Sequence, residues 1–346
     1  MVYDIPAIDE VAAQATASRL DRLTKPLGSL GRLEELAVRL AGMTGDARCR
    51  FEHRAVVVMA ADHGVTEEAV SAYPPEVTAQ MVANFVAGGA GINVLARQAG
   101  ARVVVVDMGV RVPVRAAGVL DRRMGAGTRN MVREPAMTLA QAEAAVAAGE
   151  QLAGELVAAG CDIVLTGEMG IGNTTAASAL TAAFTGRPAR EVTGRGTGID
   201  DAAFAHKVEV VERALALHRP DPRDPMAVLA CLGGFEIAGL AGLMLGAAAR
   251  RRPVVLDGFI TGAAALAAAA LAPGVGAYLV ASHRSVEPGH TAALEQLGLE
   301  PLLDLRLRLG EGTGAALALQ LIDAAVAVRD EMATFEEARV SERLEG

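Results

Sequence analysis

The stretch DIVLTGEMGIGNTT, from Asp162 to Thr175, decides the fold that this sequence predicts. It begins with a short apolar run rich in β-branched residues, Asp162 to Thr166, which is typical of a buried strand. A glycine-rich turn follows, and then an alanine-rich segment with helical character. Strand, turn and helix in this order form the repeating unit of an α/β protein.

The same unit recurs along the chain, because short apolar runs alternate with longer helical patterns. Continuous runs of Val, Ile and Leu suit parallel strands that helices cover on both faces. We therefore predict an α/β fold with a doubly wound, mainly parallel, Rossmann-like sheet. The alternating pattern of Leu305 to Leu309 predicts an edge strand with one face in water. The predicted strands are Ala55 to Met59, Val103 to Val106, Asp162 to Thr166, Ala227 to Leu232, Val254 to Leu256, Tyr278 to Ala281 and Leu302 to Leu309.

Helical segments separate these strands. Thr138 to Ala159 has a Thr-x-x-Gln capping box at its start, and Asp200 to Leu217 begins with an aspartate cap. The apolar segment Met226 to Ala249 has the length of a membrane span, but Gly233-Gly234 divides it and Glu236 would be costly in lipid. We interpret this segment as a buried strand, a turn and a helix, and we expect no membrane contact.

The two ends of the chain differ from its middle. Residues 1 to about 50 carry helical charge patterning without a strand candidate, and residues from about 325 to 346 have the pattern of a charged helix. We predict that residues 1–50 and 325–346 form a small helical subdomain beside an α/β catalytic core of residues 51–324.

The composition argues against several classes of protein. The 346 residues are 52% hydrophobic and 21% charged, which is typical of a globular chain. A net charge of −9 and an aromatic content of 3% without Trp argue against nucleic-acid binding. The widely spaced Cys49, Cys161 and Cys231 favour neither a disulfide framework nor a zinc cluster. Because the mixed, acidic N-terminus is unlike a signal peptide, we expect a cytoplasmic protein.

Glycine-rich junctions between strands and helices are candidate sites, because ligands of open α/β sheets bind at the carboxyl ends of the strands. In Gly167 to Thr175, glycines let backbone N–H groups approach an anion, and the helix start adds partial positive charge. The alternative is a tight turn that only requires glycine. A second loop, Gly194 to Gly198, precedes a helix with His206 and Lys207, which either complete an anion site or lie at the surface.

Several carboxylates also follow predicted strands. Glu311 lies among three glycines in Leu309 to Gly314, where burial in a cleft would raise its pKa towards that of a general base. Stabilisation of the helix dipole is an equally open role for it. Asp257 and the segment Ser282 to Ser285 either face the cleft or cap the next helix. The Asp62-His63 pair has no further ligand at metal spacing, so we expect no metal site.

Six motifs carry a family resemblance that spans nearly the whole chain. They are LTKPLGSLGRLEELA (Leu23 to Ala37), ADHGV (Ala61 to Val65), GGAGINVLARQ (Gly88 to Gln98), GEMGIGNTT (Gly167 to Thr175), GRGTG (Gly194 to Gly198) and LGEGTGAALAL (Leu309 to Leu319). GEMGIGNTT and LGEGTG in this order are far more specific than any single glycine loop. The sequence resembles nicotinate-nucleotide:dimethylbenzimidazole phosphoribosyltransferase, the CobT family of cobalamin biosynthesis.

This resemblance implies transfer of the 5-phosphoribosyl group from nicotinate mononucleotide to 5,6-dimethylbenzimidazole. Nicotinate is released, and the product is α-ribazole 5′-phosphate, with the anomeric carbon inverted from β to α. Nicotinate leaves as a neutral pyridine and needs no general acid, whereas the benzimidazole N–H proton requires a base. By resemblance Glu311 is that base, and Glu168 is a second active-site carboxylate that lines the benzimidazole pocket or stabilises the developing ribosyl cation.

The resemblance also implies binding residues and an assembly. Tyr73, Gln80 and Met169 are expected near the acceptor base. The family varies in the stretch Thr66 to Gln80, so other benzimidazoles or adenine are alternative acceptors. No cofactor and no metal are implied. A homodimer is implied, in which the terminal helices contribute to the partner's site. The residues expected to bind the phosphate and ribose are Gly170, Gly172, Asn173, Thr174, Gly196, Lys207, Asp257, Gly310 and Gly312.

Two other functions stay open as alternatives. Val103 to Asp107 looks like the strand before the ribose-binding acids of a PRPP-dependent phosphoribosyltransferase, but Met108 stands where a second carboxylate is needed. A non-catalytic nucleotide-binding regulator would keep the glycine loops, although Glu168 and Glu311 argue against it.

Overall fold

Six parallel strands form the central sheet in a computed structural model that describes residues 3–196 and 198–341. Their order in the sheet is β3-β2-β1-β4-β5-β6, which is that of a doubly wound α/β fold. Side chains of the central strands β1 and β4 are almost all buried, as expected where helices cover both faces. The predicted α/β fold with a parallel sheet is confirmed. The strands are β1 (Arg54–Ala61), β2 (Ala101–Gly109), β3 (Val119–Asp121), β4 (Ile163–Met169), β5 (Val254–Leu256) and β6 (Leu279–Ala281).

Fourteen α-helices connect and cover the strands within the described residues. They are α1 (Glu10–Asp21), α2 (Arg32–Thr44), α3 (Val77–Ala87), α4 (Gly91–Gln98), α5 (Leu139–Ala158), α6 (Asn173–Thr185), α7 (Ala189–Val192), α8 (Asp201–His218), α9 (Pro225–Leu232), α10 (Phe235–Ala248), α11 (Phe259–Leu271), α12 (Pro288–Leu297), α13 (Thr313–Glu331) and α14 (Phe335–Ala338). The apolar helix α10 packs against α5 and α11, whereas α13 packs against α2 and α4.

Two predicted strands are wrong, and one strand escaped prediction. Ala227 to Leu232 lies in α9, because Asp224 caps the segment and Pro225 takes the first helical turn. Leu302 to Leu309 forms a single bridge, between His283 and Leu303, since Arg306 has a φ of +55° that interrupts extended backbone. The three-residue strand β3 was too short to give a periodic signal. The other five predicted strands are confirmed.

The predicted helices are confirmed where capping signals defined them. The Thr138 side chain accepts from Gln141 N–H at the start of α5, and Asp200 caps α8. The division of Met226 to Ala249 at Gly233-Gly234 is also confirmed, although a helix rather than a strand precedes it. By length and apolar composition, the stretch Val77–Gln98 is long enough to cross a membrane, but it consists of α3 and α4, which residues 88–90 separate.

The N-terminal and C-terminal parts of the described chain meet on one side of the molecule. Arg19 Nε, on α1, donates a 2.7 Å hydrogen bond to the carbonyl oxygen of Arg329 on α13, and Leu23 forms a bridge with Thr334. The predicted helix from about 325 to 346 is partly wrong, because α13 ends at Glu331 and only the short α14 follows. Residues 342–346 lie outside the described part of the chain. The division into a helical subdomain and a core stays a prediction.

Candidate active site

A cavity of about 510 Å³ lies at the carboxyl ends of β4, β5 and β6. Most of the residues predicted from the sequence line it, namely Tyr73, Glu168, Met169, Gly170, Asn173, Thr174, Gly196, Gly310 and Glu311. The others, which do not line it, are Gln80, Gly172, Lys207, Asp257 and Gly312. The two glycine loops and the Glu311 loop therefore come together at one site, as the sequence predicts.

Glu168 is fixed at the end of a central strand. It lies in β4, and its register partner on β1 is Met59. Its Oε2 accepts a 2.5 Å hydrogen bond from Asn173 Nδ2, and the backbone N–H of Glu311 also donates to its carboxyl group. Burial raises the pKa of Glu168 to about 8, and the nearby carboxylates of Asp257 and Glu236 add to this shift. The carboxyl group of Glu168 therefore holds its proton at neutral pH.

Glu311 lies in a loop of three consecutive left-handed residues. Gly310, Glu311 and Gly312 have φ angles of +80°, +65° and +98°. Glycine adopts this backbone freely, whereas Glu311 is strained in it. A Cβ on Gly310 would collide with Glu168 Oε1, so the loop approaches Glu168 where only glycine fits. Glu311 Oε2 accepts a 3.1 Å hydrogen bond from the N–H of Ile92 at the start of α4, and burial raises the pKa of Glu311.

Asp257, at the end of β5, holds the Glu311 loop from behind. Its Oδ2 accepts a hydrogen bond from Gly312 N–H at 3.1 Å, and its Oδ1 accepts from Gly314 and Ala315 N–H at 2.7 and 3.2 Å. Burial raises the pKa of Asp257 to about 7. The sequence left open whether Asp257 caps the next helix, α11. It instead caps α13, which lies much further along the chain.

Lys207 is a buried cation beside the start of α6. Only 1% of the residue is exposed, and its Nζ donates a 2.8 Å hydrogen bond to Thr174 Oγ1. A Cβ on Gly196 would lie 3.2 Å from the same Nζ, so Lys207 approaches the cavity between Thr174 and Gly196. Burial lowers the pKa of Lys207 to about 8, and the charge of Glu287 opposes the shift. A cation and a helix N-terminus together favour an anionic group here.

His206, although next to Lys207 in sequence, contributes to a different contact. Its Nε2 lies 2.8 Å from the carbonyl oxygen of Glu68 and so joins α8 to the segment after β1. Of the two readings that the sequence left open for these residues, a structural role fits His206, and a role at the site fits Lys207.

Gly172, the residue before α6, has a φ of +93°. A Cβ on Gly172 would lie 2.8 Å from Thr66 Cγ2, so both the backbone conformation and the packing favour glycine. The hydrogen bonds of this turn run from Asn173 N–H to Gly170 and from Thr175 N–H to Gly172. Gly172 thus shapes the turn from outside the cavity wall.

Helix α3 supplies an apolar part of the wall. Val77 and Met81, one helical turn apart, line the cavity together with Tyr73 and Met169. Gln80 lies beside them in sequence but is exposed and outside the cavity wall. The position of Met81 was not predicted, because packing rather than local sequence decides which residues of a helix face a cavity.

Asp62 and Asp107 are occupied in structural contacts. Asp107 accepts hydrogen bonds from Gly109 and Val110 N–H and pairs with Arg123 at 3.0 Å. Asp62 accepts from Arg111 N–H at 2.7 Å. Within residues 3–196 and 198–341, no three His, Cys, Asp or Glu side chains cluster as metal ligands.

Comparison with known proteins identifies the family. A family model described as phosphoribosyltransferase matches residues 5–340. A nicotinate-nucleotide–dimethylbenzimidazole phosphoribosyltransferase of Roseiflexus sp. (strain RS-1) is 60% identical over 99% of this chain and 97% of its own length. The one of Chloroflexus aggregans is 59% identical over 99% and 98%. The chain belongs to this phosphoribosyltransferase family.

A solved structure of the family has the same fold. The crystal structure of CobT from Thermus thermophilus matches with a TM-score of 0.92 and 48% identity, over 96% of this chain and all of that chain. The family resemblance drawn from GEMGIGNTT and LGEGTG is therefore confirmed, as is the prediction that the chain is an enzyme of this family. The Asp107 carboxylate is engaged in two backbone hydrogen bonds and an ion pair, so it is not free to bind ribose hydroxyls. This argues against the PRPP-dependent alternative.

Sequence reasoning missed two polar residues of this family member's cavity, Glu287 and Arg308. Glu287 Oε1 accepts from Gly196 N–H at 2.9 Å, and a Cβ on Gly194 would collide with Oε2. Arg308 Nη1 donates to the carbonyl oxygen of Gly196 at 3.3 Å. The composition offered one indication that Lys207 is special. Only two of the 32 basic residues are lysines, and Lys207 is one of them.

Proposed function

We propose that the cavity holds nicotinate mononucleotide and a benzimidazole together and transfers the 5-phosphoribosyl group between them. The chain thus acts in the synthesis of the lower ligand of cobalamin, as its family does. The observation that supports this use of the cavity most directly is the joint presence of two buried glutamates and a buried lysine around it, Glu168, Glu311 and Lys207. The transfer reaction needs a proton acceptor near the benzimidazole and an anion site for the phosphate of the nucleotide.

In the proposed reaction one benzimidazole nitrogen attacks the anomeric carbon, and the bond from that carbon to nicotinate breaks. Its electron pair goes to the pyridine nitrogen, so nicotinate leaves without a proton. Glu311 takes the proton from the second benzimidazole nitrogen. The raised pKa of Glu311 suits this task, because a base works best when its pKa lies near the operating pH.

Glu168 and the lysine side of the cavity bind the donor in this proposal. The cationic pyridinium and the developing ribosyl cation favour the ionised form of Glu168, so donor binding releases the proton that burial retains. The phosphate lies against Lys207, Thr174 and the start of α6, where charge-assisted hydrogen bonds are available. Tyr73, Val77, Met81 and Met169 form the apolar pocket for the base.

The test is incubation with nicotinate mononucleotide and 5,6-dimethylbenzimidazole, other benzimidazoles or adenine. Chromatography follows nicotinate release, and NMR of the anomeric proton identifies the α product. We expect release that depends on both substrates and needs neither PRPP nor Mg²⁺. No release above the enzyme-free control, or turnover only with PRPP and Mg²⁺, would contradict the proposal.

We also propose a cytoplasmic homodimer. Leu309 lines the cavity, and Leu305 and Val286 are close in sequence to cavity-lining residues. Each of the three is about half exposed and is available for contact with a second copy. A second copy that covers them would complete the benzimidazole pocket. Sedimentation equilibrium at micromolar concentration should give twice the mass of the chain, and a monomer that is fully active would contradict the dimer as part of the site.

A further inference from the structure

A buried histidine–glutamate pair lies behind the active site. His63 follows β1, and Glu236 is in the first turn of α10. His63 Nε2 and Glu236 Oε1 are 2.5 Å apart, which is a close hydrogen-bonding contact. Their side chains are 1% and 0% exposed, and neither residue lines the cavity.

The pair packs against the backbone of the glycine turn that carries the active-site wall. A Cβ on Gly170 would lie 3.2 Å from Glu236 Oε1 and 3.4 Å from a carbon of the His63 ring. On the other side, a Cβ on Gly234 would lie 2.6 Å from Glu236 Oε2. Two glycines therefore enclose the pair, and Gly170 stands between it and the cavity.

Glu236 has one oxygen that the fold leaves unpaired. Its Oε2 is buried and has no hydrogen-bond partner in the described part of the chain. A buried carboxylate with an unpaired oxygen is destabilising. Replacement of both partners by apolar groups would avoid this cost, so the pair is expected to serve a purpose other than stability.

We propose that His63 and Glu236 form an imidazolium–carboxylate positioning pair, which fixes the backbone at Gly170 from behind and sets the electrostatic field at the Glu168 carboxyl group. This role rests on the proposed function of Glu168 in the transfer reaction. Neither residue touches the substrate, and both act through the turn and the field.

The field at Glu168 comes from a small set of charges. The groups that face its carboxyl are Asn173 on α6, the backbone N–H of Glu311, and the carboxylates of Asp257 and Glu236. Glu236 disfavours ionisation of Glu168. In the proposed pair, the imidazolium of His63 offsets the charge of Glu236. Removal of one partner must therefore shift the titration of Glu168 in the direction opposite to removal of the other.

The experiment compares Glu236→Gln, His63→Gln and the double variant His63→Gln/Glu236→Gln. In protein labelled with ¹³C at the glutamate carboxyl carbon, the Glu168 signal is assigned by its loss in Glu168→Gln. We expect Glu236→Gln to lower the titration midpoint of Glu168 by about half to one pH unit and His63→Gln to raise it. The double variant should return close to the wild-type midpoint, and its neutral amide pair is the variant most compatible with folding.

A matched control is Asp323→Asn, which removes a carboxylate paired with Arg54 at the opposite end of β1. It should leave the Glu168 midpoint unchanged. Shifts of the same sign in both single variants, or no shift in either, would overturn the proposed pair.

Kinetics adds a second readout. With nicotinate mononucleotide and dimethylbenzimidazole, the single variants should lower kcat several-fold and change the nucleotide KM by less than about twofold. A wild-type enzyme that fails to release nicotinate would contradict the proposed function, whereas the NMR titration would still decide the role of the pair.

Discussion

The two glutamate-bearing glycine loops look alike in sequence but are built differently. The first three residues of GEMG, which include Glu168, belong to β4, whose backbone is paired with β1. GEG, with Glu311, follows no strand, and its left-handed backbone is held by the side chain of Asp257. One carboxylate is therefore positioned by the sheet. The backbone that bears the other is held by a remote carboxylate, and Ile92 N–H donates to its side chain. The sheet-positioned residue should tolerate changes around it, and the side-chain-positioned one should not.

The largest effect on kcat is expected at Glu311, whose loop does not follow a strand. Glu311→Gln should lower kcat by about 10²–10⁴-fold with little change in nucleotide affinity, because an amide of the same shape cannot accept the benzimidazole proton. Steady-state kinetics at saturating substrates measures this. Glu331→Gln, an exposed position at the far end of the same helix α13, is the control and should keep wild-type kcat. Near wild-type turnover of Glu311→Gln would mean that another group accepts the benzimidazole proton.

Glu168, the glutamate positioned by β4, should affect how the free energy of unfolding depends on pH. The pKa of Glu168 in the folded protein is about 8, above the ordinary 4.5, so its contribution to stability is fully present below pH 4.5 and is lost as pH rises through 8. Gln at this position carries no such dependence. Glu168→Gln should therefore gain about 3–5 kcal/mol relative to wild type between pH 4 and pH 9.

Urea unfolding of both proteins at pH 4, 6.5 and 9 gives this difference directly. Other titrating groups cancel in the comparison, apart from those that face Glu168. A difference that is the same at all three pH values would mean that Glu168 is not a buried titrating group.

The sequence predicted the parts of the site that local chemistry defines. Glu311 was found because glycines flank it after a predicted strand, and Glu168 was found through the family resemblance of its motif. Asp257 was placed with the substrate-binding residues, but its carboxylate binds the start of α13, a partner that only the tertiary fold supplies. Glu287 was missed for the same reason, since its contact with Gly196 joins distant segments.

The errors in the fold have a similar origin. Ala227 to Leu232 is apolar all round, and such a run does not distinguish a buried strand from a buried helix. Asp224 and Pro225 decide for the helix, and both lie just before the run. At Leu302 to Leu309 the alternation was correct as a pattern, but a left-handed Arg306 breaks the extended backbone.

A smaller effect is expected on nucleotide binding at Lys207, which contacts Thr174 after the β4 loop. Lys207→Met should weaken nicotinate mononucleotide binding by about 1.5–3 kcal/mol, because a charge-assisted phosphate contact is lost while the buried volume is kept. Calorimetry measures the Kd. In the wild type, affinity should also fall above about pH 8, where the lysine loses its proton. His206→Gln, at the neighbouring position, is the control and should bind the nucleotide normally; equal losses in both variants would point to a damaged helix α8 instead.

The smallest of these effects tests how the Glu311 loop is held. In Asp257→Asn one amide oxygen can still accept from Gly314 and Ala315, but an NH₂ group then faces the N–H of Gly312, donor against donor. The end of the loop next to Glu311 should loosen, and because small displacements of a catalytic group are costly, kcat should fall by about 10–50-fold while the nucleotide KM stays within a factor of about two. Asp224→Asn makes the same substitution at the exposed cap of α9, far from the loop, and should leave kcat unchanged. If Asp257 instead binds ribose or phosphate, as first expected from the sequence, KM will rise at least as much as kcat falls, and the contrast between the two loops will then rest on strand pairing alone.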